Sequence, residues 1–286
     1  MLSMPIMVAF AHATGFCGAV WRPVVETLGT DFDTIVWDFP NHGSSPRVPP
    51  PVDWWLFGEW ARDHVAAASR PLIGVGHSMG GAALAMAEII APGTFAGLIL
   101  IEPMLFPPPY QRADNHLSLA VIKRRRSFAT RAEARENFAS KPPFEKWHSG
   151  ALDGYIEEGL IETENGTVTL SCTPEDEADV YRGATAHGAW ERIDEVKAPT
   201  LILAGSESDT HPKERVHAIA NHFPRAGFEI VPAENHFLPM EKPGLVARRI
   251  ARMAHAVQET DVESAEPSPR EPDPAEPEPH TPKLPH

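Results

Sequence analysis

Ser78, His236 and several carboxylates are the residues of this 286-residue chain whose types and spacing could do chemistry. Ser78 lies in Gly76-His77-Ser78-Met79-Gly80, directly after the apolar run Leu72-Ile73-Gly74-Val75 and before a helical stretch from Gly81 to Ile90. A serine at a sharp strand-to-helix turn is forced into a strained backbone conformation, and side chains two residues away on either side would collide there. Glycine at 76 and 80 removes the collision, and Gly81 lets the helix pack close to the sheet. The hydroxyl would then stand at a helix N-terminus, where free N–H groups stabilise a negative oxygen. The pattern is that of a nucleophile elbow. Taken alone, the pentapeptide also fits an ordinary glycine-rich turn.

Acyl transfer by a serine needs a base for its proton, a carboxylate to orient that base and donors for the developing oxyanion. Three stretches could supply them. Ala11-His12-Ala13-Thr14-Gly15-Phe16 follows one apolar run, Leu203-Ala204-Gly205-Ser206-Glu207-Ser208-Asp209 ends another, and Pro232-Ala233-Glu234-Asn235-His236-Phe237 follows a third. The chain order is serine, acid, histidine. The remaining histidines form no His-x-x-x-His pair beside a glutamate and show no metal-ligand spacing, so no metal and no cofactor is expected. His12, His42 and His77 read as residues that hold loops by hydrogen bonds. Cys17 reads as a packed thiol without a base beside it.

The elements that must position these residues are legible as short apolar runs. Ile6 to Ala11, Thr34 to Trp37, Leu72 to Val75, Gly97 to Ile101, Thr200 to Ala204 and Phe228 to Val231 each read as a strand covered on both faces. Amphipathic stretches lie between them: Trp54 to Ala68, Met79 to Ile90, Lys213 to His222 and Gly244 to Val257. The alternation predicts an α/β fold, a mainly parallel sheet of about six strands with helices on both faces. Ligands of such sheets bind at the carboxyl ends of the strands, where the polar residues cluster. Residues 104–194 interrupt the rhythm and are too long for a simple crossover. They read as an inserted, mostly helical cap, with Ala113 to Ala139 its longest helix and Thr167 to Leu170 a short extended piece. The core is then 1–103 and 195–258. Lys123-Arg124-Arg125-Arg126, inside the insertion, reads as a solvated helix face rather than an anion site.

The net charge of −14 argues against nucleic acid or an anionic membrane as partner. Residues 259–286 hold eight acidic, two basic and eight proline residues. With hardly any large apolar side chains, they read as a disordered, solubilising tail. Two cysteines cannot form a disulfide framework, no basic stretch precedes the first apolar run, and no apolar run approaches the length of a membrane span. These features predict a cytoplasmic protein with a small-molecule substrate.

His12-Ala13-Thr14-Gly15, the Asp38 to Ser45 segment, the elbow and Asn235-His236-Phe237 before a final helix together resemble the α/β-hydrolase superfamily. The likeness extends over most of residues 6 to 256, without the family's opening antiparallel hairpin, and resembles its esterase-like branch. The resemblance implies Ser78 as nucleophile, His236 as general base, and the backbone N–H groups of Met79 and Thr14 as oxyanion donors. It implies Asp209 as the acid that holds the imidazole. The family's usual Gly-x-x-Asp is departed from here, because Ser208 stands three residues after Gly205 and Asp209 four after it. Glu207 and Glu102 are rival acids, with Glu102 read as a capping or pairing residue at the hinge of the insertion.

The expected function is hydrolysis of a carboxylic ester or a related activated acyl bond of a small, partly apolar substrate, through an acyl-enzyme on Ser78. Phe16, Phe106, Tyr110 and Phe237 would line the pocket. Thioester, lactone or C–C bond hydrolysis and acyl transfer are alternatives on the same fold. A receptor-like binding protein with little turnover is the alternative of a different class.

Overall fold

Six strands form one parallel sheet in the computed structural model, which describes residues 6–68 and 71–265; the four inner strands are buried on both faces, as their continuous apolar runs require, and the two edge strands are only half-buried. The sheet is built from β1 (Ile6–Ala11), β2 (Phe32–Val36), β3 (Leu72–His77), β4 (Gly97–Ile101), β8 (Thr200–Gly205) and β9 (Ala226–Val231). Their order is β2-β1-β3-β4-β8-β9, with every neighbouring pair parallel. The order reverses between β1 and β3, which makes the carboxyl ends of those strands the crevice of the sheet.

Alternation of side chains through the sheet divides the core in two. On one side Leu72, Leu98 and Leu100 pack with helices α2 (Trp55–Val65), α3 (Met79–Ile90) and α8 (Lys213–His222). On the other side Ile73, Val75, Ile99 and Ile101 pack with α1 (Arg22–Leu28) and α10 (Pro243–Ala265). Helix α3 is buried on nearly all sides, which is why it carries Ala, Leu, Met and Ile with no polar stripe.

Between β4 and β8 lie α4 (His116–Val121), β5 (Ser127–Phe128), α5 (Arg131–Ala139), α6 (Ser149–Glu158), β6 (Leu160–Glu162), β7 (Val168–Leu170) and α7 (Pro174–Gly183). The three short strands make an antiparallel sheet in the order β5-β7-β6. The insertion is mostly helical, as expected, with this small sheet added to its helices. Phe128, Phe138, Trp147 and Tyr155 belong to the same apolar cluster as α1 and α10.

The long helix expected over Ala113 to Ala139 is broken in two. Asn115 starts α4 through a capping box with Ser118. The chain then turns so that Ser127 and Phe128 pair with Thr169 and Val168, burying Phe128. Thr130 caps α5 by accepting from the Glu133 N–H at 3.1 Å. Helix α10 takes in residues 259–265, the first seven of the expected tail; residues 266–286 lie outside the described residues.

Candidate active site

Ser78 stands between β3 and α3 with φ 54° and ψ −113°, a left-handed conformation rare for a side chain. The neighbouring glycines explain how the chain tolerates it. A Cβ on Gly80 would lie 2.2 Å from the Ala11 carbonyl oxygen, and one on Gly76 would lie 2.5 Å from the Gly80 oxygen. The strain is held by hydrogen bonds on both sides of the serine. Its N–H donates to the Ile101 carbonyl at 2.8 Å, and its own carbonyl accepts from Met104 N–H at 3.2 Å. Met79 opens α3, so its N–H has no carbonyl four residues back within the helix.

Strand register brings the remaining groups level with this turn. His77 pairs with Ile101 across β3 and β4, so Glu102 leaves β4 one step beyond its strand, as Ser78 leaves β3. Glu102 also has a positive φ, 49°, and its N–H donates to the Leu203 carbonyl at 2.8 Å. Its carboxylate is fully buried and collects donors. Oε1 accepts from Gly205 N–H at 2.9 Å. Oε2 accepts from Ser208 Oγ at 2.6 Å, Thr210 Oγ1 at 3.0 Å and His236 Nδ1 at 2.6 Å. Burial acts against the charged form, but the hydrogen bonds from His211 and His236 outweigh it and hold the carboxyl well below the usual carboxylate range.

This arrangement overturns the expected acid. Asp209 is exposed on the loop after β8, and the carboxylate against His236 is that of Glu102. The loop turns so that the hydroxyls of Ser208 and Thr210, on either side of Asp209, point at Glu102. Ser208 occupies the position where the Gly-x-x-Asp pattern would place a carboxylate. It donates to a carboxylate that has come instead from the neighbouring strand. Glu207 is exposed as well. Glu102 is thus neither a helix cap nor a hinge pair, as the sequence suggested.

His236 follows β9 and is fixed from three directions. The His77 Nε2–H donates to its backbone carbonyl at 2.8 Å. Asn235 Oδ1 accepts from Phe237 N–H at 2.7 Å and shapes the turn. Nδ1 lies on Glu102, which leaves Nε2 as the ring nitrogen free to exchange a proton. His211 was missed at the sequence level. Its ring is buried, with Nε2 donating to the Pro103 carbonyl at 2.9 Å and Nδ1 3.3 Å from Glu102 Oε2. Nothing in its local sequence marks it, because its partner is over a hundred residues away. Among the described residues, Glu102, His211 and His236 are also the one grouping whose ligand atoms converge enough to hold a metal ion. Those atoms are the ones that couple His236 to Glu102, so an ion there would break that coupling.

The loop after β1 is held by the histidines expected to do so. His12 Nδ1–H donates to the Ala13 carbonyl at 2.8 Å, and Nε2 accepts from Phe39 N–H at 3.0 Å. His42 Nε2 accepts from Gly15 N–H at 3.0 Å, while Nδ1–H donates to Pro40 O at 2.9 Å. Burial lowers all three histidines, pushing His42 and His77 down to about 3. They are neutral, and an acceptor nitrogen is what His12 and His42 need in order to receive backbone N–H groups. Cys17 is buried, and burial pushes its thiol far up, away from nucleophilic character.

A cavity of about 570 Å³ opens over these groups. Thr14, Ser78, Thr210 and His236 line its polar floor. Phe16, Phe138, Phe144 and Phe237 give it apolar walls, and Arg124, Lys141, Glu177 and Asp209 bring charge. Phe16 and Phe237 were expected there; Phe106 lines an adjoining cavity of about 510 Å³ instead. The basic run at 123–126 is not a solvated helix face. Arg125 and Arg126 pair outward with Glu133 and Glu175, whereas Arg124 turns inward onto Glu177 and Tyr155.

A strained serine on a strand-to-helix turn, a histidine after the last strand and a cavity over both sheet ends describe a type of architecture as well as a site. A family model described as the alpha/beta hydrolase family matches residues 8–249. The chain belongs to the α/β-hydrolase family. This α/β-hydrolase is 29% identical over 218 residues to the abhydrolase domain-containing protein AKT2 of Alternaria alternata, covering 64% of the chain and 82% of that protein. In structure it is similar to the peroxisomal α/β-hydrolase Lpx1 of Saccharomyces cerevisiae, with a TM-score of 0.79, 20% identity and coverage of 94% and 82%. It is also similar to E-2-(acetamidomethylene)succinate hydrolase, with a TM-score of 0.72, 20% identity and coverage of 88% and 91%. Among the described residues no helix is long and apolar enough to cross a membrane.

Proposed function

We propose that this α/β-hydrolase is a serine hydrolase acting on a carboxylic ester or a related activated acyl bond, with Ser78, His236 and Glu102 as its catalytic residues. The observation that carries the reading is the 2.6 Å contact of Glu102 with His236 Nδ1, in a cavity lined by both Ser78 and His236. A carboxylate on Nδ1 fixes the tautomer whose Nε2 can accept a proton from a serine. Ser78 Oγ attacks the carbonyl carbon, His236 Nε2 takes the proton, and the tetrahedral oxygen is met by the N–H groups of Met79 and Thr14. Collapse of this intermediate expels the alcohol, protonated by His236. Water, deprotonated by the same nitrogen, then releases the acid and restores Ser78. Buried Glu102 stabilises the imidazolium formed in each half and stays ionised throughout.

The substrate is a small molecule, held on a partly apolar wall. Since Lpx1 is named as peroxisomal, fractionation of cells expressing the full chain tests the cytoplasmic placement proposed from its sequence. The mechanism is tested with a fluorophosphonate probe and short p-nitrophenyl esters. Stoichiometric labelling at Ser78, lost together with turnover in Ser78→Ala, supports it. An unlabelled protein that still binds ligands would instead be a receptor.

A further inference from the structure

The cavity above Ser78 is lined by two cations and two acids, and one of the cations, Lys141, pairs with neither acid. Arg124 and Lys141 both come from the segment between β4 and β8, and both stand against one ring. The Lys141 ammonium lies 5.3 Å and the Arg124 guanidinium carbon 5.7 Å from the centroid of Phe138. The Arg124 charge is already matched by Glu177, whose side chain is only 5% exposed. Its guanidinium also donates to the Tyr155 hydroxyl at 2.9 Å. Of its five N–H donors, these two bonds leave three for a further acceptor. Lys141 has no acidic partner among the described residues. Burial, and after it the charges of Arg124 and Arg125, lower its affinity for a proton. The remaining acid of the cavity, Asp209, is on the β8 loop beside Thr210, and no ion pair joins it to Lys141 among the described residues.

A partly buried ammonium against Phe138, with like charges for neighbours, gains from the arrival of an anion. Surface lysines avoid this by extending into water; this one lines the cavity. We propose that the substrate carries a carboxylate at its non-reacting end, with Lys141 as its counter-ion and the free edge of Arg124 as a second donor. The proposal rests on the serine-hydrolase reading, because it places the carboxylate in the same cavity as the acyl group to be cleaved. Phe138 stands against both cations, so the two belong to one part of the cavity wall. The Arg124–Glu177 pair orients the guanidinium without consuming all of its donors.

The test compares matched esters. In one series the carboxylate is on the acyl part, as in p-nitrophenyl hemiglutarate against p-nitrophenyl 5-methylhexanoate. In the other it is on the alcohol part, as in 4-acetoxybutyrate against 4-methylpentyl acetate. The expected result is at least about a tenfold kcat/KM preference for the anionic member in one series, equivalent to about 1.4 kcal/mol. In Lys141→Met that preference falls to near parity, and in Lys141→Arg most of it is kept. Parity or a neutral preference in both series for the wild type overturns the proposal, as does a preference that Lys141→Met leaves unchanged. Should Lys141→Met fail to fold, Lys141→Gln reads the same ratio. If the wild type turns over no ester at all, the serine-hydrolase reading fails by itself. Calorimetric binding of glutarate against 1,5-pentanediol, in wild type and Lys141→Met, then decides the anion site independently: tighter glutarate binding lost in the variant supports it, and equal binding overturns it.

Discussion

The sheet end and the inserted segment build their parts of the site by different means. At the sheet end the constraints are on the backbone: Ser78 and Glu102 at positive φ, Gly80 pressed against the Ala11 carbonyl, and strands β3 and β4 ending in register. In the insertion they are on long side chains, with Arg124 reaching Glu177 and Tyr155 from a turn. Backbone constraints restrict residue types locally and leave motifs. Side-chain reach leaves almost none, because any arginine in the right fold could make it. On the proposed mechanism, the cleavage step is concentrated where the backbone is most constrained, and the contacts proposed for the substrate where it is least.

The largest effects are expected at the sheet end. Ser78→Ala is expected to lower turnover of a short p-nitrophenyl ester by about a thousandfold or more, measured with protein free of background esterase. Glu102→Gln keeps the shape of the buried side chain but removes its charge, and a loss of about 10³- to 10⁴-fold in kcat follows. Asp209→Asn, measured beside it, changes kcat by less than about threefold. The reverse ranking would return the acid to the β8 loop. Gly80→Ala drives a Cβ into the Ala11 carbonyl and is expected to cost about 3 kcal/mol or more in urea unfolding.

Acid sharpens the same contrast in two separate windows. The buried neutral histidines have native pKa values below that of the unfolded chain, near 6.5. Between those values the unfolded chain binds more protons, so stability is complete above about pH 6.5 and falls as pH drops, by at most about 1.4 kcal/mol per unit for each of His42 and His77. Glu102, with its native pKa depressed, adds a second loss that begins only below about pH 4.3. Urea midpoints followed from pH 7 to 4 should show the first slope in the wild type and in Glu102→Gln alike. The smallest effect is expected in the insertion: Arg125→Ala removes an exposed pair with Glu133 and should leave the urea midpoint close to that of the wild type.

The core strands were legible to within a few residues because apolar runs between turn residues have few alternatives. The serine and the late histidine were legible because the turns that hold them need particular neighbours. The carboxylate against His236 was not legible, because spacing from Gly205 points to Asp209, whereas Glu102 reaches the histidine through strand order, which local spacing does not encode. Glu102 was visible only as the residue ending Ile99-Leu100-Ile101, and the missing clue was the register of β3 against β4. The break in the expected helix at Ser127 was hidden for the same reason: pairing with Val168 and Thr169 is a long-range event. Arg124 could not be separated from Lys123, Arg125 and Arg126 by any pattern in the run itself.

Asp209 stands exposed between two hydroxyls that serve Glu102, and it borders both cavities. If the acid is Glu102, as proposed, this position is spared the chemistry while keeping a place beside it. Selection can therefore vary residue 209 as an adjustable contact, altering which molecules are accepted without risking the cleavage step, so a library confined to that one codon is the natural starting point for changing the enzyme's range.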